Sequence, residues 1–127
     1  MNYTKKKNYE FSFEKLGVWK LSVDLIKEVY KITKNYPDEE KFGIVSQLRR
    51  AAVSISSNLA EGSSRISYKD QAHFTQISFS SLMELLCQMI ISEELGYIDE
   101  KQLLKIREKI EEISNKLNSL RNYQLNN

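Results

Sequence analysis

The chain has one cysteine, one histidine, one proline and four glycines in 127 residues. Each scarcity removes a class of protein. Cys87 has no second thiol to pair with, so an internal disulfide framework is excluded, as expected in a reducing cytoplasm. With His73 as the single histidine, a His-based metal site within one chain lacks its second ligand. A Glu-x-x-His di-iron motif would need glutamate three residues before His73, and that position is Asp70. So little glycine and proline is too little punctuation for an all-β fold of many tight turns. No apolar run approaches the length of a membrane span, and no apolar stretch follows Lys5, Lys6 and Lys7 to make a secretory signal. There is no Walker loop, because Gly62-Ser63-Ser64 lacks both the lysine and the glycine spacing. Catalytic, cofactor-binding and metal-binding residues are therefore not expected, and neither is an enzyme.

Charge of one sign is also in short supply. The net charge of +2 implies no nucleic-acid partner by itself. Its distribution is uneven: residues 1–36 hold eight lysines against four acids, whereas residues 67–98 hold one lysine against four acids. The basic excess thus lies at the N-terminal end. Residues 1–12 read as a flexible basic arm, either simply solvated or in contact with nucleic acid.

What is abundant is Leu, Ile, Lys, Glu, Gln and Ser, a composition suited to long helices. Four helices are predicted. The first covers about Phe13 to Lys34 and carries two apolar stripes. Leu16, Trp19, Val23, Ile26 and Tyr30 form one; Val18, Leu21, Leu25, Val29 and Ile32 form the other. One stripe suffices for a four-helix core, so the second points to a subunit interface. Tyr36-Pro37-Asp38 breaks the chain, with Asp38 as the expected N-cap of a second helix over about Glu39 to Glu61. Gly62 is expected to stop that helix. Ser67 with Asp70 resembles a capping box for a third helix over about Tyr68 to Leu95, ended by Gly96. Asp99 with Gln102 makes another box for a fourth helix reaching about Arg121. Its Leu103, Ile106, Ile110, Ile113, Leu117 and Leu120 form the inward seam of a bundle. Residues 122–127 are expected to fray. The fold class is all-α: an antiparallel up-down-up-down four-helix bundle over residues 13–121. Cys87, among Leu85, Leu86, Met89 and Ile90, reads as a buried structural thiol, and His73 as a surface residue.

The stretch from Gln47 to Arg65 carries more than an amphipathic helix needs. Beside the apolar Val45, Leu48, Ala52, Ile55 and Leu59 runs a polar row of Ser54, Asn58 and Glu61. The third helix offers Ser78, Ser80, Ser81 and Glu84 opposite, and Arg65 is placed to reach Glu61 or Glu84. Ser54, Asn58, Glu61, Arg65, Ser81 and Glu84 are either a hydrogen-bond network that fixes helix register or the lining of a ligand groove. Arg49 and Arg50 point about 100° apart and serve either rim salt bridges or phosphate contacts.

In combination, Leu16-Gly17-Val18-Trp19, Val29-Tyr30, Tyr36-Pro37, Phe42-Gly43, Gln47-Leu48-Arg49-Arg50-Ala51-Ala52, Ser54-Ile55, Asn58-Leu59-Ala60-Glu61-Gly62, Arg65, Phe74, Ser81-Leu82, Glu84-Leu85 and Leu95-Gly96-Tyr97 resemble a known family. It is the four-helix bundle family of proteins encoded in intervening sequences of bacterial 23S rRNA genes, to which the accessory variability protein of diversity-generating retroelements looks related. The resemblance covers about Phe13 to Leu120. One segment departs from it: a pattern close to Ala, basic residue, Gly, Ser, Leu reads here Ser78-Phe79-Ser80-Ser81-Leu82. Phe79 removes a charge, and Ser80 is expected to loosen the closest helix contact.

The resemblance implies a homopentameric ring, in which +2 per chain becomes about +10 around the assembly. For the retroelement relatives it implies binding of nucleic acid and of a reverse transcriptase. The leading expectation is a cytoplasmic, non-enzymatic oligomeric scaffold, without membrane contact, that binds RNA or DNA through backbone charge. Lys5, Lys6, Lys7, Lys20, Lys27, Arg49 and Arg50 are its candidate contacts. A protein adaptor for a partner such as a reverse transcriptase is the second reading. A ligand-binding or catalytic use of Asn58, Glu61 and Glu84 is the third.

Overall fold

The structure is a computed structural model that describes residues 8–127. Lys5, Lys6 and Lys7 lie outside the described residues. The rest is all-α: helices α1 (Gly17–Thr33), α2 (Ile44–Ser63), α3 (Tyr68–Glu94) and α4 (Glu100–Leu125), with short 3-10 turns at Ser12–Lys15 and Asp38–Glu40 and no strand among the described residues.

Local chemistry sets where each helix begins. The predicted start of α1 near Phe13 is instead a 3-10 turn, closed by Phe11 N–H donating to the Glu14 carboxylate at 2.7 Å. Leu16 is extended, and the α-helix proper begins one residue later. The predicted start of α2 moves further. Asp38 is not its cap; the Asp38 carbonyl accepts the Lys41 N–H at 3.1 Å in a second 3-10 turn after Pro37. Glu40 holds this corner, its Oε1 accepting from Ile44 N–H at 3.5 Å and its Oε2 from the Tyr97 hydroxyl at 2.6 Å.

The ends of α3 and α4 follow the expected cap chemistry more closely. Ser67 Oγ accepts the Asp70 N–H at 3.1 Å. Asp99 and Gln102 exchange both capping-box bonds at 2.8 and 2.9 Å. Gly96 takes φ +79° after α3, its N–H bonded to the Glu93 carbonyl, while the Tyr97 N–H reaches the Ser92 carbonyl. This pair of bonds is a Schellman end, which requires a residue free to go left-handed. The expected fraying after Arg121 does not occur: α4 runs through Leu125, and Gln124 is buried, accepting from Thr75 Oγ1 at 2.7 Å.

α2 packs on both α1 and α3, α3 also packs on α4, and α4 returns to α1. Ser22 meets Ser56 and Thr33 meets Arg49 between α1 and α2. Between α2 and α3, Gln47 meets Gln88, Ser54 meets Ser81, and Gly62 faces Phe74. Thr75 meets Gln124 and Gln76 meets Arg121 between α3 and α4. At these three seams, rising residue numbers on one helix meet falling numbers on the next.

Leu25, Val29, Leu48, Ile55, Leu82, Leu85, Met89, Ile106, Ile110, Ile113 and Leu117 form the fully buried centre. Burial of each such side chain contributes about 1.5–3 kcal/mol before entropy is counted. On α1, Val18, Leu25, Val29 and Ile32 face this core, while Leu16, Trp19 and Ile26 pack against its edge. The second apolar stripe is thus largely used inside the chain, with Trp19 edge-on to Phe13.

Three sequence expectations about α3 need correction. By length and composition α3 does qualify as a possible membrane span; it packs on both α2 and α4, and a helix with two neighbours reads apolar on more than one side. Cys87 is exposed, because it falls on the strip of α3 turned away from both neighbours. Ser80 is exposed too, so it does not sit at the closest helix contact, whereas Phe79 packs against the core.

Candidate nucleic-acid interface

Lys20, Lys27 and Lys31 are exposed on α1 with Asp24 on the same side, and Lys34 is its C-cap; Lys31 lines a separate groove with Glu28 and, from α4, Lys105. Tyr30 is 38% exposed and stands about 80° round the helix from Lys20. α2 brings Arg49 and Arg50 alongside it. Tyr30, Arg49, Arg50, Val53, Ser54 and Ser57 together line an open groove of about 410 Å³.

The two arginines have different roles, as their 100° separation on a helix requires. The Arg49 guanidinium lies 4.4 Å from the centre of the Tyr30 ring, and its Nε donates to Thr33 Oγ1 at 3.0 Å. Thr33 in turn donates to the Val29 carbonyl at 2.7 Å. Arg49 therefore joins α1 to α2 through a stacked and hydrogen-bonded contact. Arg50 is exposed and forms no ion pair among the described residues. Its cation is free for a ligand. The neighbouring exposed Val53 and Tyr30 add apolar and aromatic surface at the same place.

The polar row of α2 divides into separate contacts. Ser54 Oγ and Ser81 Oγ are 2.8 Å apart across the α2–α3 seam. Asn58 Nδ2 donates back to the Ser54 carbonyl at 2.8 Å and to Ser54 Oγ at 3.1 Å. These three residues are joined as a register-fixing cluster, and Ser78 Oγ adds a bond to the Ile55 carbonyl at 2.9 Å. Glu61 is not part of it. Glu61 pairs with Arg65 at 3.5 Å on the surface, where Arg65 also covers the Phe74 ring at 4.7 Å. Glu84 is exposed, with no ion-pair partner among the described residues. Asn58, Glu61 and Glu84 therefore do not converge on one site.

Two buried contacts were not anticipated from sequence. Ser22 and Ser56, both buried, hydrogen-bond at 2.7 Å between α1 and α2, and Thr75 bonds to Gln124 between α3 and α4. The available signal was position: Ser22 falls between Val18 and Leu25 on the buried side of α1. His73 is exposed, as its polar surroundings predict. Among the described residues no group of three or more His, Cys, Asp or Glu side chains is arranged to hold a metal ion.

The comparisons with known proteins agree with this architecture. No curated protein matches the chain. The crystal structure of a protein of unknown function from the S23 ribosomal protein family of Bacteroides thetaiotaomicron has a TM-score of 0.73 with it. The similarity covers 82% of this chain and 97% of that one at 22% identity, which makes it a likeness of fold. The family model described as 23S rRNA-intervening sequence protein matches residues 14–119, nearly the whole helical domain, and the chain belongs to that family.

Proposed function

We propose that this chain is a non-enzymatic oligomeric scaffold of the cytoplasm that binds structured RNA through the phosphate backbone. The observation that carries the reading is the α1–α2 groove. There Arg50 presents an unpaired cation in the same groove as Tyr30, and Lys20 and Lys27 are exposed elsewhere on α1. Cations that neutralise phosphates supply sequence-independent affinity.

The reversed numbering at three helix seams supports an antiparallel, up-down-up-down bundle. Self-assembly into a homopentamer would place several such grooves on one particle and multiply a modest charge. Lys20, Lys27 and Arg50 are the contacts of this reading among the described residues, with Arg49 positioning the Tyr30 ring.

The test is binding of structured RNA and duplex DNA over a salt series from about 50 to 200 mM. Affinity should fall steeply with salt, and Arg50→Glu should weaken binding to different sequences alike. Absence of binding even at low salt would overturn the proposal.

A protein adaptor is the second reading, and a separate observation favours it. Leu104 is 59% exposed and lines an open α3–α4 groove with Met83, Leu86 and Ile110, rimmed by Arg107, Glu108 and Glu111. Exposed apolar surface of this kind suits a protein partner, such as a reverse transcriptase or another copy of the chain. Nuclease-insensitive recovery of one partner in a pull-down, lost on Leu104→Lys, would support it.

A further inference from the structure

A different groove, between the first turns of α3 and the last turn of α4, has the chemistry of an anion site. Lys69, Asp70, Ala72, His73, Gln76, Arg121 and Leu125 line an open cavity there of about 470 Å³. We propose that this cavity binds the phosphate group of a ligand, held by Lys69, His73, Gln76 and Arg121.

Arg121 is the first reason. Its side chain is half-buried, and its Nε is shut off from solvent with no hydrogen-bond partner. No carboxylate pairs with it; the ion pairs among the described residues are Arg65–Glu61 and Lys105–Glu28. Nη1 is bonded to Gln76, but the cation has no counter-charge among the described residues, and an anion in the adjoining open cavity would supply one.

Gln76 is the second. Arg121 Nη1 donates to Gln76 Oε1. Arginine has donors only, so it is the amide oxygen that must face the guanidinium. The amide NH₂ of Gln76 is then left as a further donor beside the cavity.

Helical spacing supplies the rest. Residues 69, 73 and 76 share one face of α3, so Lys69 and His73 stand in line with Gln76. The charged and titratable groups around the cavity are Lys69, Asp70 and His73 from α3 and Arg121 from α4. Two fixed cations outweigh one carboxylate, and a single carboxylate among donors makes a poor cation site. Several donors around one space match an ion with several acceptor oxygens. This site lies on a different pair of helices from the α1–α2 groove and does not depend on it.

The test is a titration of the full-length ¹⁵N-labelled protein with inorganic phosphate, against chloride at equal ionic strength, followed by NMR. Saturable shifts should appear at the Gln76 side-chain amide and at the Lys69 and His73 backbone amides. Arg121→Gln removes packed atoms and risks the fold, so the deciding variants are the exposed Lys69→Ala and His73→Gln. Lys69→Ala should weaken phosphate binding about tenfold, the effect of one lost charge-assisted hydrogen bond. An oligonucleotide with a 5′-phosphate that competes where the unphosphorylated one does not would make the ligand a phosphate monoester on nucleic acid. No competition by either would make it a free phosphate; both results keep the anion site. Shifts that merely follow chloride, or phosphate binding unchanged in both Lys69→Ala and His73→Gln, would overturn it.

Discussion

A Cβ atom on Gly62 would stand 2.9 Å from the Cβ of Phe74. That spacing is below any ordinary carbon contact, and neither atom is the mobile end of a side chain. Gly62 is therefore a point of close approach between α2 and α3. An exposed helical glycine gains about 1 kcal/mol on replacement by alanine. Here Gly62→Ala should instead lose about 1–3 kcal/mol, because the helices must separate. Urea unfolding of the two proteins checks this, and an alanine variant as stable as the parent would refute the close approach.

That glycine also shows where sequence reasoning stops. Gly62 and Gly96 both follow apolar helical stretches and both read as helix ends. Only Gly96 adopts positive φ; Gly62 lies inside α2 with its neighbour across the seam. Local spacing carries the helix pattern, the two capping motifs at Ser67 and Asp99 and the α4 seam, since these depend on residues a few positions apart. It does not carry which helix lies opposite. For that reason the sequence suggests a close contact at Ser80, which is exposed, whereas Gly62 is the residue that faces Phe74 closely. Cys87 was likewise placed inside although it faces out. The sequence singles out Arg49 and Arg50 as a pair, but the Tyr30 stack that distinguishes them needs α1 and α2 side by side.

The distinction between the two arginines is measurable. Arg49→Ala removes the Thr33 bond and the Tyr30 stack, and should cost about 1–2 kcal/mol of stability. Arg50→Ala alters an exposed, unpaired side chain and should stay within about 0.5 kcal/mol of the parent. RNA affinity should fall for Arg50→Ala at unchanged stability. Equal thermal stability of the two variants would count against the anchoring role of Arg49.

Ser22 Oγ lies 2.6 Å from the Trp19 carbonyl and 2.7 Å from Ser56 Oγ. A hydroxyl has one proton, and a carbonyl can only accept, so Ser22 donates to Trp19 and Ser56 donates to Ser22. Ser22→Ala takes the acceptor from a buried Ser56 hydroxyl and should cost about 1–2 kcal/mol. The double variant with Ser56→Ala should lose less than the two single losses combined, since no hydroxyl is then left unpaired. Additive losses in denaturant unfolding would show that the pair is not coupled.

The connection between α1 and α2 should give the protein an alkaline limit. Tyr36 is 5% exposed, and its hydroxyl has no hydrogen-bond partner. Burial pushes its phenol above the ordinary 10.0, and the nearby Ser92 hydroxyl does not counter this, since its proton goes to the Gln88 carbonyl. Tyr97 is raised as well, first by its hydrogen bond to the Glu40 carboxylate. A group whose pKa is higher folded than unfolded contributes its full stabilisation below the unfolded value and loses it as pH rises towards and through the folded value. For both tyrosines that window opens at 10.0 and extends upward. Stability limited by these groups should be flat below about pH 9 and decline beyond it. Tyr36→Phe removes an unpaired buried hydroxyl, so at neutral pH it should leave stability unchanged or raise it by up to about 1 kcal/mol. The same variant should show a shallower alkaline decline. Denaturant midpoints measured across the pH range for both proteins decide the matter: identical alkaline slopes would mean that Tyr36 does not titrate with unfolding.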